Sequence, residues 1–213
     1  MPRFGDVVPR RLVLVHGATS GPWVFESWAG RFATFEVLTP DLQAGLEVEH
    51  ASMADYAEQV ITAAGGPGAV VVGWSMGGLV AMLAAQRQRP AALVVVEPSQ
   101  PRELGGHDTA VVPTVGAYDA KTMYGPLPPG TRHRPESHLA LEERQRGISI
   151  PRIDCPLLVI ASSSYPISRG SDIIDHYGGE LLEFSGLDHA SVIEAPDVAN
   201  AIAAWLRDQQ LAS

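Results

Sequence analysis

Three features predict an α/β fold, built as one domain on a mostly parallel sheet. Short apolar runs alternate with helix-length segments. Most of those runs are apolar throughout, as parallel strands covered on both faces require. Strand–helix alternation of this kind implies right-handed crossovers between neighbouring strands. The chain has 213 residues, enough to bury a full core without metal or disulfide staples.

The first strand is expected at Leu12–Val15, β-branched and ending abruptly at His16-Gly17. Further strands are expected at 35–39, 70–72, 93–96, 157–161 and 180–184. Between them, 53–64 carries apolar residues at Met53, Tyr56, Ala57, Val60 and Ile61, with Ser52 placed as a helix cap. Residues 76–88 are Ala-rich and suit a packed helix, and 198–206 closes the chain as another. Residues 98–154 break this rhythm. They are rich in Pro, Gly and His, and only 139–146 reads as helical. Such a stretch inside a compact domain is expected to be a lid or loop insertion, so residues 1–213 are read as one domain carrying a lid at 98–154.

Fifteen Lys+Arg against 24 Asp+Glu give a formal charge of −9. That excludes the basic surface that nucleic acids or anionic membranes need. Apolar residues make up 46% and charged ones 18%, a globular composition. The single cysteine, Cys155, can neither close an internal disulfide nor build a zinc site alone. No apolar run reaches the roughly 18 residues of a membrane span, and the start MPRFGDVVPRRL has no signal-peptide stretch. The expected location is cytoplasmic. No phosphate-cradling loop and no metal-spaced ligand set stands out, so neither cofactor nor metal is expected.

Gly73-Trp74-Ser75-Met76-Gly77 lies between a β-branched run and the Ala-rich helix. A nucleophilic serine needs such a sharp strand-to-helix turn, and side chains two residues to either side would collide. The helix N-terminus behind it offers free N–H groups to a developing oxyanion. The loop at His16-Gly17-Ala18 can set the Ala18 N–H beside the Met76 N–H as a second donor, with His16 itself structural. His189 follows the last strand, in the kind of loop where open α/β sheets build their sites.

The His16-Gly17 loop, the elbow and the late His189, in that order, resemble the α/β-hydrolase superfamily across essentially the whole chain. Residues 12–100 are similar to carboxylesterases of the pimeloyl-carrier-protein methyl ester esterase type. The likeness is carried by Val13-Leu14-Val15-His16-Gly17, Ser52-Met53-Ala54-Asp55 and the run from Gly73 to Ala81. The resemblance implies an α/β-hydrolase fold, trimmed by a strand or two because only eleven residues precede Leu12. It implies Ser75 as nucleophile, His189 as general base, and the N–H groups of Ala18 and Met76 as oxyanion donors. The implied substrate is a small ester or thioester, free or carrier-bound.

The third triad member departs from the family. Its usual Asp follows the strand after the lid, where this chain has Ser162-Ser163-Ser164-Tyr165-Pro166, and a phenol carries no charge near neutral pH. Three explanations compete. Glu97 closes the wholly apolar run Leu93–Val96, and Glu97-x-x-x-Pro101 is similar to some haloalkane dehalogenases; synthetase thioesterase domains place an Asp there. Asp172 or Asp175, at the start of the next helical segment, is the second source. The third is a degenerate triad with no acid. Asp188 is expected to shape the His189 loop and Asp41 to be structural. Trp23, Trp74 and Tyr124 are candidates to line an acyl pocket, and Arg132-His133-Arg134 reads as a solvated basic face that could draw an anionic substrate. The leading expectation is acyl transfer by a serine esterase or thioesterase. An acyl-transferring cyclase, lyase or isomerase is the alternative on the same fold, and an inactive binding protein the other.

Overall fold

The computed structural model describes residues 10–28, 30–108, 110–111, 114–162 and 170–211. In chain order the elements are β1 (Arg10–Val15), β2 (Phe35–Leu38), α1 (Met53–Ala64), β3 (Val70–Trp74), α2 (Met76–Arg87) and β4 (Ala92–Val96). Then come β5 (Ala117–Tyr118), α3 (Ala120–Tyr124), β6 (Glu136–Ser137), α4 (His138–Arg146), β7 (Leu157–Ser162), α5 (Gly170–Tyr177), β8 (Glu180–Phe184), α6 (Ser191–Glu194) and α7 (Pro196–Asp208). Six strands form one sheet in the order β2-β1-β3-β4-β7-β8, and every pairing is parallel. The expected α/β fold is borne out. Trimming of the sheet was expected ahead of Leu12, and residues 1–9 lie outside the described residues.

The strands read as continuous apolar runs because both faces are covered. Val13, Val15, Val71, Leu93, Val95 and Val159 point to one side, against Met53, Tyr56 and Val60 of α1 and Leu79 of α2. Leu12, Leu14, Val70, Val72, Val94 and Ile160 point to the other, against Phe25, Trp28, Ile202 and Trp205. The six residues Leu12, Val13, Val70, Val72, Val94 and Val95 are all fully buried, the two-sided burial that favours parallel sheets. Ser52 caps α1 as expected: its hydroxyl accepts from the Asp55 N–H at 3.1 Å, and the Asp55 carboxylate accepts from the Ser52 N–H at 2.9 Å.

The register sets the strand ends level. Val15 pairs with Gly73, Trp74 with Val96, and Val96 with Ile160. The residues just after those strands therefore share one edge, the C-terminal edge where parallel α/β sheets hold ligands.

The described part of residues 98–154 holds more regular structure than its composition suggests. It contains the two-residue antiparallel pair β5–β6 and the helices α3 and α4. Pairs this short have no readable periodicity. Helix α4 begins one residue before the expected 139, capped by Ser137, whose hydroxyl accepts from the Ala140 N–H at 3.2 Å. It is fastened to α1 by the Glu143 carboxylate, which accepts from the Met53 N–H at 2.7 Å. The burial of Glu143 beside Asp55 raises its carboxyl pKa.

Candidate active site

Ser75 sits between β3 and α2 with φ +57° and ψ −124°, a conformation that costs an L-residue energy and persists only where its surroundings impose it. Those surroundings are visible. The Ser75 N–H donates to the Val96 carbonyl at 3.0 Å, and the Ser75 carbonyl accepts from the N–H groups of Gly78 and Ser99, both at 3.0 Å. The glycines flanking the serine have steric reasons. A Cβ on Gly73 would lie 2.6 Å from the Gly77 carbonyl carbon, and one on Gly77 would lie 2.8 Å from the Val15 carbonyl carbon. Both distances are shorter than packed carbons tolerate. Gly17 brings the β1 loop onto the elbow, where a Cβ would lie 3.0 Å from both Ser75 Cβ and Trp74 Cε3.

His189 lies in the loop between β8 and α6, and its Nε2 is 3.0 Å from Ser75 Oγ. Two contacts orient it. The Trp74 indole N–H donates to the His189 carbonyl at 3.0 Å, and the two rings stack with centroids 5.3 Å apart. Asp188 caps the same loop, accepting from the N–H groups of Ala190 at 3.1 Å and Ser191 at 2.7 Å. Those N–H donors hold the Asp188 carboxyl below the usual range.

Glu97 follows β4 with φ +44° and is 1% exposed. Its N–H donates to the Ile160 carbonyl at 2.9 Å, and its Oε1 accepts from the Ser162 N–H. Oε2 lies 3.9 Å from His189 Nδ1. That is ion-pair range with a protonated ring but longer than a hydrogen bond. Asp172 and Asp175 both fall on α5, and among the described residues neither bonds to His189. Tyr165 lies outside the described residues.

Met76 opens α2, where first-turn N–H groups have no intrahelical acceptor. Its N–H and that of Ala18 make no hydrogen bond to the described residues. His16 is fully buried with its ring spanning two segments: Nδ1 is 2.9 Å from the Gly17 carbonyl, and Nε2 accepts from the Leu42 N–H at 3.2 Å. Desolvation lowers its pKa to about 4, so near neutral pH the ring is uncharged and Nδ1 carries the proton.

Beside the elbow opens a cavity of about 540 Å³, lined among others by Ala18, Trp23, Trp74, Leu127, Arg132 and Ala190. Trp23 and Trp74 thus line it, whereas Tyr124 packs edge-on against Tyr118 and is 54% exposed. Arg132 lies 4.7 Å above the Trp23 ring and pairs with Glu26 at 2.7 Å. Arg134 is no solvated charge. Its guanidinium grips Asp41 with two bonds of 2.9 and 2.6 Å, and reaches His16 Nε2 at 3.1 Å. That grip holds the Asp41 carboxyl below its ordinary pKa. Glu136, fully buried, carries no signal in the sequence. Apart from the adjacent Ser137 N–H, its partners lie 80–117 residues away along the chain, so no local spacing marks it.

Among the described residues no cluster of His, Cys, Asp and Glu is built to hold a metal ion, and no helix is long and apolar enough to cross a membrane. No curated protein matches the chain significantly. Solved structures do. A thermophilic esterase from Thermogutta terrifontis is 17% identical, with a TM-score of 0.70 over 96% of this chain and 91% of its own. The methylesterase MES16 from Arabidopsis is 16% identical, with a TM-score of 0.66 over 93% and 98%. The RedJ thioesterase of the prodiginine pathway in Streptomyces coelicolor is 20% identical, with a TM-score of 0.65 over 95% and 86%. At such identities the likeness is one of fold. The family profile described as the alpha/beta hydrolase family matches residues 12–202, and the chain belongs to that family.

Proposed function

We propose that the chain is a serine hydrolase that cleaves a carboxylic ester or thioester through an acyl-enzyme on Ser75. The observation that carries this reading is the 3.0 Å approach of His189 Nε2 to a serine held at φ +57° on the elbow. His189 Nε2 takes the Ser75 proton as Oγ attacks the substrate carbonyl, and the Ala18 and Met76 N–H groups receive the oxyanion. The protonated nitrogen then gives its proton to the leaving alcohol or thiol, and the cycle repeats with water as the attacking group. Glu97, buried behind Nδ1, balances the imidazolium that exists between those transfers. The esterase and thioesterase activities of the structural neighbours support an ester or thioester carbonyl. The cavity beside Trp74 is of a size that takes a small organic group, and residues 98–154 serve as its lid, supplying Leu127 and Arg132 to the wall.

The test is labelling with a fluorophosphonate probe, read by intact mass and peptide mapping. A single adduct on Ser75, absent from Ser75→Ala, is expected. A folded protein that does not label would overturn the acyl-enzyme reading.

A further inference from the structure

The direction of the Ala18 N–H is set by the peptides on either side of it, the first held by side chains of its own loop and the second from outside it. A trans peptide points its N–H opposite to the preceding carbonyl. Fixing the Gly17 carbonyl therefore fixes the Ala18 N–H. That carbonyl accepts from Ser20 Oγ at 2.8 Å and from His16 Nδ1 at 2.9 Å. The next peptide ends at Thr19, a β-branched residue held at φ +55°, where such residues are rarely found. Thr19 is clamped on both sides. Its N–H donates to Glu136 Oε2 at 3.2 Å, and its carbonyl accepts from the main-chain N–H of Arg134 at 2.9 Å. The other Glu136 oxygen accepts from Gln43 Nε2 at 3.2 Å, the Ser137 N–H at 2.9 Å and the Tyr56 hydroxyl. A carboxylate satisfied this fully inside the protein is itself immobile. Burial beside that carboxylate pushes the Tyr56 phenol far up, so the tyrosine stays a donor.

We infer that Glu136, with Arg134, is a positioning residue of the oxyanion hole: the β4–β7 segment reaches back across the sheet edge and sets the Ala18 N–H through Thr19 and His16. The inference rests on the hydrolase reading and adds residues that neither the elbow motif nor the late histidine reveals. Neither side chain needs to touch substrate.

Glu136→Gln isolates the contact. The glutamine oxygen still serves Tyr56, Ser137 and Gln43, while its NH₂ faces the Thr19 N–H and cannot accept from it. Hydrolysis of p-nitrophenyl acetate should show kcat falling about 10- to 100-fold with KM within about threefold, as expected when a transition-state donor is misplaced. The rate of fluorophosphonate labelling at Ser75 should slow in proportion. A residue that only supports the fold would leave kcat unchanged well below the melting temperature, and that result would overturn the inference. Should E136Q not fold, Arg134→Met decides in its place. It removes the guanidinium's bonds to His16 Nε2 and Asp41 at a partly exposed position, keeping the main-chain bond to Thr19 and the Leu42 bond to His16, and the same split with about a 10-fold loss of kcat is expected; an unchanged kcat overturns the inference. Wild-type protein that fails to label overturns the hydrolase reading itself, an outcome distinct from wild type that labels beside an unaffected E136Q.

Discussion

Replacing Glu97 by glutamine keeps the side chain's shape and removes its charge, so the variant measures what the carboxylate does for the imidazolium. Oε2 stands 3.9 Å from His189 Nδ1. At an effective dielectric near 20, two unit charges at that distance attract by about 4 kcal/mol. An imidazolium forming in the transition state would lose that stabilisation, which corresponds to about a 1000-fold drop in kcat. Removing the hydrogen-bonded acid of a serine-protease triad costs roughly 10⁴. The smaller figure here follows from the longer distance, which leaves charge without a direct bond. The assay is steady-state p-nitrophenyl acetate hydrolysis, with kcat and KM separated and the labelling rate of Ser75 measured in parallel. Turnover above about a tenth of wild type at unchanged KM would refute the assignment, because no charge partner worth 4 kcal/mol can vanish so cheaply.

Three further outcomes are expected. Ser75→Gly should abolish labelling and raise the melting temperature by about 2–4 °C, since glycine adopts φ +57° without the strain a serine bears there; a lowered melting point would show that the elbow stores none. Gly77→Ala should lose about 1–3 kcal/mol in urea unfolding, because its Cβ would press on the Val15 carbonyl, and an unaffected midpoint would contradict that close approach. His16 should make the fold acid-sensitive. Its folded pKa of about 4 lies below the unfolded 6.5, so the unfolded chain takes up a proton first as pH falls. The stabilisation is complete above pH 6.5 and drains away towards pH 4, by about 3 kcal/mol in all. A His16 ring proton that titrates near 6.5 by NMR would refute this.

The parts legible in the sequence are those whose causes are local. The α1 boundaries follow from the Ser52–Asp55 box and the Gly65 cap at φ +67°. The elbow follows from glycines that must stand two residues to each side of Ser75. Glu97 stood out because a charge ending the run Leu93–Val96 needs a reason to be buried, and the structure sets it behind His189. Arg134 and Glu136 were illegible for the opposite cause. Each bonds to residues some 80 to 118 positions away, and a lone Arg-His-Arg cluster looks the same in solvent as against Asp41. The pair β5–β6 is two residues long on each strand, shorter than any hydrophobic period can register. Burial of Glu136 is a property of the tertiary fold alone.

The stitching of Ser75 to its neighbours has a consequence for how the site should fail on heating. Ser75 bonds to Val96 and Ser99, and Glu97 bonds to Ile160, so the proposed nucleophile and acid ride on three adjacent central strands. His189 follows β8, the edge strand, whose Leu182 is 37% exposed, and its main anchor is one indole. Local opening begins where burial is least. Warming should therefore detach His189 while Ser75 and Glu97 keep their strand-end bonds, and under the proposed mechanism turnover should decline below the global melting point. Tightening the 185–190 loop, with the sheet left alone, is then the route to a catalyst that works closer to its melting temperature.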